Sequence, residues 1–261
     1  MRRPLPIALA VLFALPLAAR ADDWQSLFNG TDLTGWKGRS ELWSVKDGAI
    51  TGYTKDGKLP GGANSFLVWD GTAGDFELKA KFKLVGGNSG IQYRSKYADK
   101  SEFFHIAGYQ ADMDGAKGMG YFGICYEERG RGIICNRGTK TFIDEDGTKH
   151  ELRVTDAAEV LKAIKPNDWN EYHITACANH LKQEINGVTT AEIIDWQKDK
   201  RAMEGLIAFQ IHAGMGEMTV QFKDIQLKKL TDCKEVTKES MPIPADAKKI
   251  EGPKPKPKAE K

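Results

Sequence analysis

Polar side chains that could bind and activate a sugar lie within residues 87–112, where two short strand-like runs are joined by a polar loop. Successive side chains of a strand point to opposite faces. On this alternation Gln92 and Arg94 share one face of the first run. Gln110 and Asp112 share one face of the second run. Two amides, a guanidinium and a carboxylate on adjoining strands suit a polyhydroxylated ligand, so the pattern predicts the floor of a sugar-sized site on a β-sheet.

More distant polar residues extend this prediction. In residues 205–212, Gln210 and His212 share a face whose opposite side is entirely apolar. Glu77 lies on the polar side of another alternating run. Each sheet of a β-sandwich has one face in the core and one outside. If these strands are neighbours, their polar faces therefore line one concave groove.

Several short antiparallel strands are needed to position these residues. Residues 76–84 alternate between apolar and charged side chains, which indicates a strand with one face in water. Asn186-Gly187 is typical of a two-residue hairpin turn, and residues 156–164 predict one short helix with Asp156 as its N-cap. Together with 27 glycines, this pattern predicts an all-β sandwich of two antiparallel sheets with one short helix.

The two ends of the chain differ from the part between them. Residues 1–21 combine a basic start, an apolar run and a small-x-small site, which predicts a secretory signal peptide too short to span a membrane. We therefore expect an exported protein, periplasmic or extracellular. Residues 231–261 lose apolar content and finish in a Lys/Pro-rich run, which predicts a disordered tail. The predicted domain is residues 22–230, without a membrane span.

The net charge of the chain limits the class of ligand that it is expected to bind. Removing the three arginines of the signal peptide lowers the formal net charge from +2 to −1. The lysine-rich tail is itself positive, so the folded part is acidic. This argues against a nucleic-acid partner and leaves an oligosaccharide or glycoside as the expected ligand. The sequence does not indicate the oligomeric state.

Four cysteines allow two disulfides in an exported chain, with three possible connectivities. Cys125 and Cys135 face each other if a hairpin is centred on Gly130, which makes them the first candidate pair. The alternative is that the cysteines are buried free thiols.

Familiar catalytic and cofactor motifs are missing or out of context. Residues 118–123 spell GxGxxG but open no helix, and neither a GxSxG nucleophile elbow nor paired acids in an ExDxxE run occur. No Cys or His spacing matches a zinc site. We expect no cofactor. A bound cation such as calcium stays open, because Asp112 and Asp114 offer oxygens without defining a site.

The chain resembles the 3-keto-disaccharide hydrolase family of exported bacterial proteins. The resemblance spans about residues 24–230 and rests on SLFNGTDLTGW (26–36), LWSVKDGAI (42–50), DFELKAKFKL (75–84), GNSGIQYR (87–94), GYQADM (108–113), WNEYHI (169–174), ING (185–187) and GLIAFQIHAG with VQFKDIQLKKL (205–230).

This resemblance implies a concanavalin-like jelly-roll sandwich that cleaves glycosides oxidised at C3 of the sugar ring. In that chemistry the ketone acidifies the C2–H bond, a base removes the proton, and the enolate expels the C1 substituent. Asp112 and His212 are the candidate bases, and Arg94 is the candidate partner of the enolate oxygen. The side chains expected to hold the substrate are Glu77, Gln92, Gln110, Glu127 and Gln210.

Other hypotheses stay open. Many relatives resemble a Glu-x-Gln pattern where this chain has Gln110-Ala111-Asp112. The shifted carboxylate is compatible with a non-catalytic carbohydrate-binding module of the same fold. Arg94 has a structural alternative, an ion pair with Glu77 or Asp112 on a neighbouring strand. The basic tail suggests a third hypothesis, attachment to an acidic envelope polymer.

Overall fold

The computed structural model describes residues 24–100, 104–115 and 119–250. The predicted signal peptide and the last eleven residues of the predicted tail lie outside these ranges. In chain order the elements are β1 (Gln25–Ser26), β2 (Trp36–Lys37), β3 (Trp43–Lys46), β4 (Ala49–Thr54), β5 (Ser65–Trp69), β6 (Phe76–Val85), β7 (Asn88–Tyr97), β8 (Ile106–Asp114), β9 (Cys125–Glu128), β10 (Gly132–Cys135), β11 (Thr139–Ile143), β12 (Lys149–Arg153), α1 (Ala157–Ala163), β13 (Asn170–Cys177), β14 (His180–Ile185), β15 (Val188–Asp195), β16 (Leu206–Ile211), β17 (Met218–Lys229) and β18 (Lys248–Ile250).

These strands form two sheets. Among the described residues, eleven strands make the large sheet, in the order β18-β12-β11-β15-β14-β13-β6-β17-β4-β3, with β1 beside β17. The other seven described strands make the small sheet, in the order β10-β9-β8-β7-β16-β5-β2. Neighbouring strands are antiparallel, except that β11 pairs with β15 in parallel. The predicted all-β jelly-roll sandwich is confirmed, with this parallel pair as its departure from two purely antiparallel sheets.

The hydrophobic core lies between the two sheets. Alternate residues of β6 are buried, as the sequence pattern predicts, and the charged residues between them face outward. Phe209 of the small sheet stacks on Phe222 of the large sheet, with ring centroids 3.8 Å apart. Trp36 stacks on the same Phe209 ring at 4.8 Å. Aromatic packing of this kind holds the two sheets face to face and leaves the outer face of the small sheet free for a site.

The predicted helix and hairpin are both present. Asp156 caps α1 by accepting a hydrogen bond from the Ala158 amide at 2.7 Å. Asn186 and Gly187 both have positive φ, 51° and 80°, which is the backbone that a tight two-residue turn between β14 and β15 requires. Within the described residues, no helix is long and apolar enough to cross a lipid bilayer.

The disulfide joins a different pair of cysteines from the first candidate. Cys177 is bonded to Cys233, whereas Cys125 and Cys135 are buried free thiols. Cys125 and Cys135 do face each other between β9 and β10, but the pairing register shifts just before Cys135. The Cys135 thiol contacts the Thr139 carbonyl at 3.2 Å instead. Facing positions on a hairpin were therefore insufficient to predict a bond.

The chain remains folded beyond Thr231, so the predicted disorder does not hold for residues 231–250. Cys233 is tied to β13 by the disulfide. The Trp196 indole donates to the Val236 carbonyl at 2.7 Å, and β18 pairs with β12. This segment has few apolar residues. It folds nevertheless, because Val236, Met241 and Ile243 pack on a hydrophobic cluster that the rest of the domain provides.

Candidate active site

A cavity of about 330 Å³ lies on the outer face of the small sheet. The residues that line it come from β7, β8, β9 and the loops around them, and are Asn64, Asn88, Gln110, Asp112, Tyr121, Tyr126, Glu128, His212 and Met215. The strand order β9-β8-β7-β16 makes the polar faces of these strands contiguous. The predicted adjacency of the strands that carry Gln110, Asp112 and His212 is therefore confirmed.

Asp112 is the buried carboxyl group of this cavity, with 4% of its surface exposed. Its Oδ1 accepts a hydrogen bond from the Asn88 amide at 2.9 Å, and its Oδ2 accepts one from the Gln110 amide at 3.2 Å. Its backbone carbonyl is held by the Tyr172 hydroxyl, which reaches across from the large sheet (2.7 Å). Asp112 is therefore held at its carboxyl group by two amides of its own sheet and at its backbone by a tyrosine of the opposite sheet.

The environment of Asp112 shifts its acidity. Burial raises its pKa to about 7, while the hydrogen bonds from Asn88 and Gln110 oppose the rise and the nearby Asp114 adds to it. A carboxyl group with a pKa near 7 is partly ionised at neutral pH and also basic enough to take a proton from carbon. This is the acidity expected of a general base.

Three buried glutamines connect Asp112 to the rest of the site. Gln92 donates to Gln110 at 2.7 Å, and Gln110 donates to Gln210 at 3.3 Å as well as to Asp112. Gln210 in turn donates to Glu128 at 3.2 Å. Gln110 lines the cavity, whereas Gln92 and Gln210 are fully buried and outside its lining. The last two residues support the site and do not reach substrate hydroxyls as predicted.

His212 lies at the end of β16 and lines the same cavity. Its Nδ1 is 2.6 Å from the Ala213 carbonyl oxygen. A carbonyl oxygen only accepts hydrogen bonds, so Nδ1 carries the hydrogen and Nε2 is the nitrogen that can meet a ligand. Its backbone amide donates to the Asn88 carbonyl at 3.2 Å. This bond ties the histidine to the strand that positions Asp112.

Glu128 is a second carboxyl group at the cavity. It accepts hydrogen bonds from the Gln210 amide at 3.2 Å and, with a longer contact of 3.5 Å, from the Asn64 amide. Burial raises its pKa, and the charges of His212 and Arg129 partly oppose the rise. Glu128 was not among the predicted site residues, although the alternation of Cys125–Glu128 places it on the same face as Tyr126 and away from Glu127.

With this geometry established, comparison with known proteins gives a family. The family described as "3-keto-alpha-glucoside-1,2-lyase-like domain" matches residues 23–228 of this chain. The chain belongs to this family. The predicted resemblance to 3-keto-disaccharide hydrolases is confirmed. None of the curated proteins matches the chain significantly.

The lyase-like domain also resembles solved structures. One is a putative glycosyl hydrolase from Parabacteroides distasonis, which is 20% identical with a TM-score of 0.55 over 81% of this chain and 95% of that one. A second such protein from the same organism is 18% identical with a TM-score of 0.50 over 80% of this chain and all of that one. At these identities the likeness shows the fold alone.

Within the lyase-like domain, Arg94 does not join Asp112 and His212. It has a positive φ of 45° at a bulge in β7, where the register with β8 shifts. Its guanidinium donates to the Gly74 and Ala178 carbonyls and pairs with Asp75 at 2.8 Å. The bulge breaks the alternation that the prediction assumed, and Arg94 crosses toward the large sheet. Its predicted position at the enolate oxygen is wrong.

Two predicted substrate-binding acids of the lyase-like domain also lie elsewhere. Glu77 is on the outer face of the large sheet, where it pairs with His173 at 2.8 Å. Glu127 is buried and pairs with Arg131 at 2.8 Å, and Arg131 also binds Asp195. Glu77 faces the other side of the sandwich, and Glu127 points inward from β9. Neither lines the cavity, although Glu127 lines a neighbouring cleft of about 650 Å³.

The described part of the lyase-like domain has no group of three or more His, Cys, Asp or Glu side chains that could hold a metal ion. Asp114, which offered a second carboxylate beside Asp112, accepts a hydrogen bond from the Tyr121 backbone amide at 3.0 Å. The local chemistry of the cavity is therefore that of amides, tyrosines, one imidazole and two carboxyl groups of raised pKa.

Proposed function

We propose that this protein cleaves glycosides whose sugar ring carries a ketone at C3. The reaction removes the C2 proton, forms an enolate and expels the C1 substituent. The family description supports this substrate class, and the cavity of about 330 Å³ provides a polar pocket at the small end of the usual range for small-molecule sites. We favour this enzymatic function over that of a non-catalytic carbohydrate-binding module.

The observation that carries the proposal is the buried Asp112 carboxyl group on the cavity floor. A non-catalytic sugar-binding surface has no need of a carboxyl group whose pKa burial has raised to about 7. Proton abstraction next to a ketone needs such a group within reach of C2. We assign Asp112 as the base.

His212 takes the part that the sequence analysis gave to Arg94. With Nδ1 bound to the Ala213 carbonyl, a protonated His212 presents Nε2–H to the cavity. A charged donor aimed at the forming enolate oxygen stabilises the intermediate more than it stabilises the ketone. Tyr121 and Tyr126 line the same cavity, and we assign them to the binding of hydroxyls on the sugar ring.

The test compares 4-nitrophenyl 3-keto-α-glucoside with the unoxidised glucoside. We expect the wild-type protein to release 4-nitrophenol only from the keto-sugar. Asp112→Asn should reduce the rate about 100-fold or more, because it removes the base. His212→Gln should reduce the rate as well, while leaving the base in place. Absence of release by the wild-type protein, together with tight calorimetric binding of unoxidised glycans, would overturn the proposal in favour of a binding module.

We also propose that the protein is exported. The pattern of residues 1–21 supports this, and so does the Cys177–Cys233 disulfide, because such bonds persist in oxidising compartments. N-terminal sequencing of the protein recovered from the producing cell should begin at Asp22. Recovery from the cytoplasmic fraction with Met1 retained would contradict export.

A further inference from the structure

A second cleft, of about 650 Å³, adjoins the cavity. It lies between the β9–β10 hairpin, the bulged end of β7 and the loop before β16. Residues that line it include Lys96, Gly108, Glu128, Arg129, Arg131 and Lys200. Glu128 lines both the cavity and this cleft. A substrate that crosses Glu128 can therefore occupy both spaces at once.

We propose that Glu128 is the general acid of the reaction and that the cleft beyond it receives the leaving sugar. This inference rests on the proposed function, since it names the group that protonates the oxygen leaving C1. The keto-sugar would occupy the cavity beside Asp112 and His212. The glycosidic oxygen would lie at Glu128, and the second sugar would extend into the cleft.

The position of Glu128 supports this role. It lies on β9 opposite Gly108 of β8 and lines both the cavity and the cleft. The amides of Gln210 and Asn64 bind its two oxygens, which fixes the orientation of the carboxyl group. Burial keeps its proton to a higher pH than usual. After the proton has left, the charges of His212 and Arg129 stabilise the carboxylate.

The reaction moves one proton to Asp112 and one proton from Glu128. Asp112 takes the C2 proton, and the electron pair of the C2–H bond passes into the enolate. Collapse of the enolate forms the C1–C2 double bond and breaks the bond between C1 and the glycosidic oxygen, which takes the proton of Glu128. The products are an unsaturated keto-sugar and a free hydroxyl compound. Asp112 ends protonated and Glu128 ionised, and exchange with water resets both.

The cleft also offers donors to a second sugar. Lys96, Arg129 and Lys200 form no ion pair within the described parts of the chain, so their N–H groups are available to hydroxyl oxygens. By contrast, Arg131 is held by Glu127 and Asp195 and contributes to the wall of the cleft.

The first experiment compares Glu128→Gln with wild type on two keto-glucosides. Methyl 3-keto-α-glucoside has a leaving group that needs a proton, whereas 4-nitrophenolate leaves without one. For Glu128→Gln we expect about a 100-fold loss of kcat with the methyl glycoside and less than about a 10-fold loss with the nitrophenyl glycoside. Equal losses with both, or no loss with either, would overturn the role of Glu128. No turnover by the wild-type protein would instead contradict the proposed function itself.

Two further variants keep this experiment decisive. Glu159→Gln removes an exposed carboxylate in α1, paired with Lys162 and remote from the cleft, and should leave both rates unchanged. Glu128→Asp keeps an acid but shortens its reach. If Glu128→Gln does not fold, as judged by thermal unfolding, Glu128→Asp should still slow the methyl glycoside more than the nitrophenyl glycoside. Equal slowing would overturn the role.

The second experiment tests the cleft. Replacing Lys96 and Arg129 together by Ala should raise KM about 10-fold or more for an α-linked 3-keto-glucosyl-glucose. It should leave KM for the methyl glycoside within about 2-fold, because the methyl group does not enter the cleft. The same change in KM for both substrates would show that the cleft does not bind the leaving sugar.

Discussion

Gln110 lies directly over the backbone of Gly90. A Cβ atom on Gly90 would come within 2.5 Å of both Cγ and Cδ of Gln110. The space above Gly90 is therefore filled by Gln110 and is not open to a ligand. The glycine lets the Gln110 amide lie across β7 and bind Gln92, Gln210 and Asp112 at once.

Gly90→Ala should therefore damage the site without touching the substrate. The methyl group forces Gln110 aside, which breaks its hydrogen bonds and removes one donor to Asp112. We expect a loss of about 1–3 kcal/mol in the free energy of unfolding together with reduced kcat. Gly120→Ala is the control, because a Cβ there has only an ordinary contact at 3.8 Å. Equal stability of the two variants in denaturant would contradict this account.

The rate should depend on the ionisation of Asp112. Burial raises the pKa of Asp112 to about 7, and only the carboxylate can accept the proton from C2. We expect kcat/KM for the nitrophenyl keto-glucoside, whose leaving group needs no acid, to rise as the pH increases toward 7. His212→Gln should keep this acidic limb at a lower rate. Loss of the limb in His212→Gln would show that the histidine, not Asp112, controls it.

The same pKa shift predicts a pH dependence of stability. Asp112 has its pKa raised from 3.8 to about 7 by folding, so its protonated form stabilises the folded state below pH 4. That contribution is lost as the pH rises toward 7, by roughly 4 kcal/mol in total. Relative to wild type, Asp112→Asn should therefore gain stability between pH 4 and pH 7. Urea unfolding at several pH values measures the difference, which should not be flat.

Arg94 should matter for stability and little for chemistry. Arg94→Gln removes a donor from the Gly74 and Ala178 carbonyls and leaves the Asp75 carboxylate with the Ala178 backbone amide. We expect a loss of about 3 kcal/mol in the free energy of unfolding, with kcat of the folded enzyme within about 3-fold of wild type. Loss of kcat with unchanged stability would restore the catalytic role that the sequence analysis assigned.

The disulfide should anchor the C-terminal segment. Cys233→Ser frees residues 231–250 from β13, and we expect the free energy of unfolding to fall by about 2–4 kcal/mol. Cys125→Ser, at a buried free thiol, is the control that keeps the disulfide, so its stability should still depend on reductant. Thermal unfolding with and without dithiothreitol should show a shift for wild type and for Cys125→Ser, but none for Cys233→Ser.

The sequence predicted best where the backbone is regular. The alternation of β6, the cap of α1 and the turn between β14 and β15 all depend on local rules, and all three are present. The adjacency of the strands carrying Asp112 and His212 also followed from faces of the same polarity. Such predictions succeed because period and turn chemistry are written in consecutive residues.

The failures occur where the backbone departs from that regularity or where contacts are distant. A left-handed residue and a bulge turned Arg94 toward the large sheet. In β9, Glu128 lines the cavity, whereas the prediction had chosen its neighbour Glu127. Glu77 has the alternation expected of a site residue, but it belongs to the other sheet. The partner of Cys177 lies 56 residues away and has no local signal.

The C-terminal strand β18 also affects how the protein behaves among copies of itself. Without it, β12 would end the large sheet with unpaired backbone groups, which are a template for aggregation. β18 covers those groups with only three residues, and its exposed lysines Lys248 and Lys249 repel another strand. Proteolytic loss of this short segment should therefore lower solubility at high protein concentration before it affects turnover.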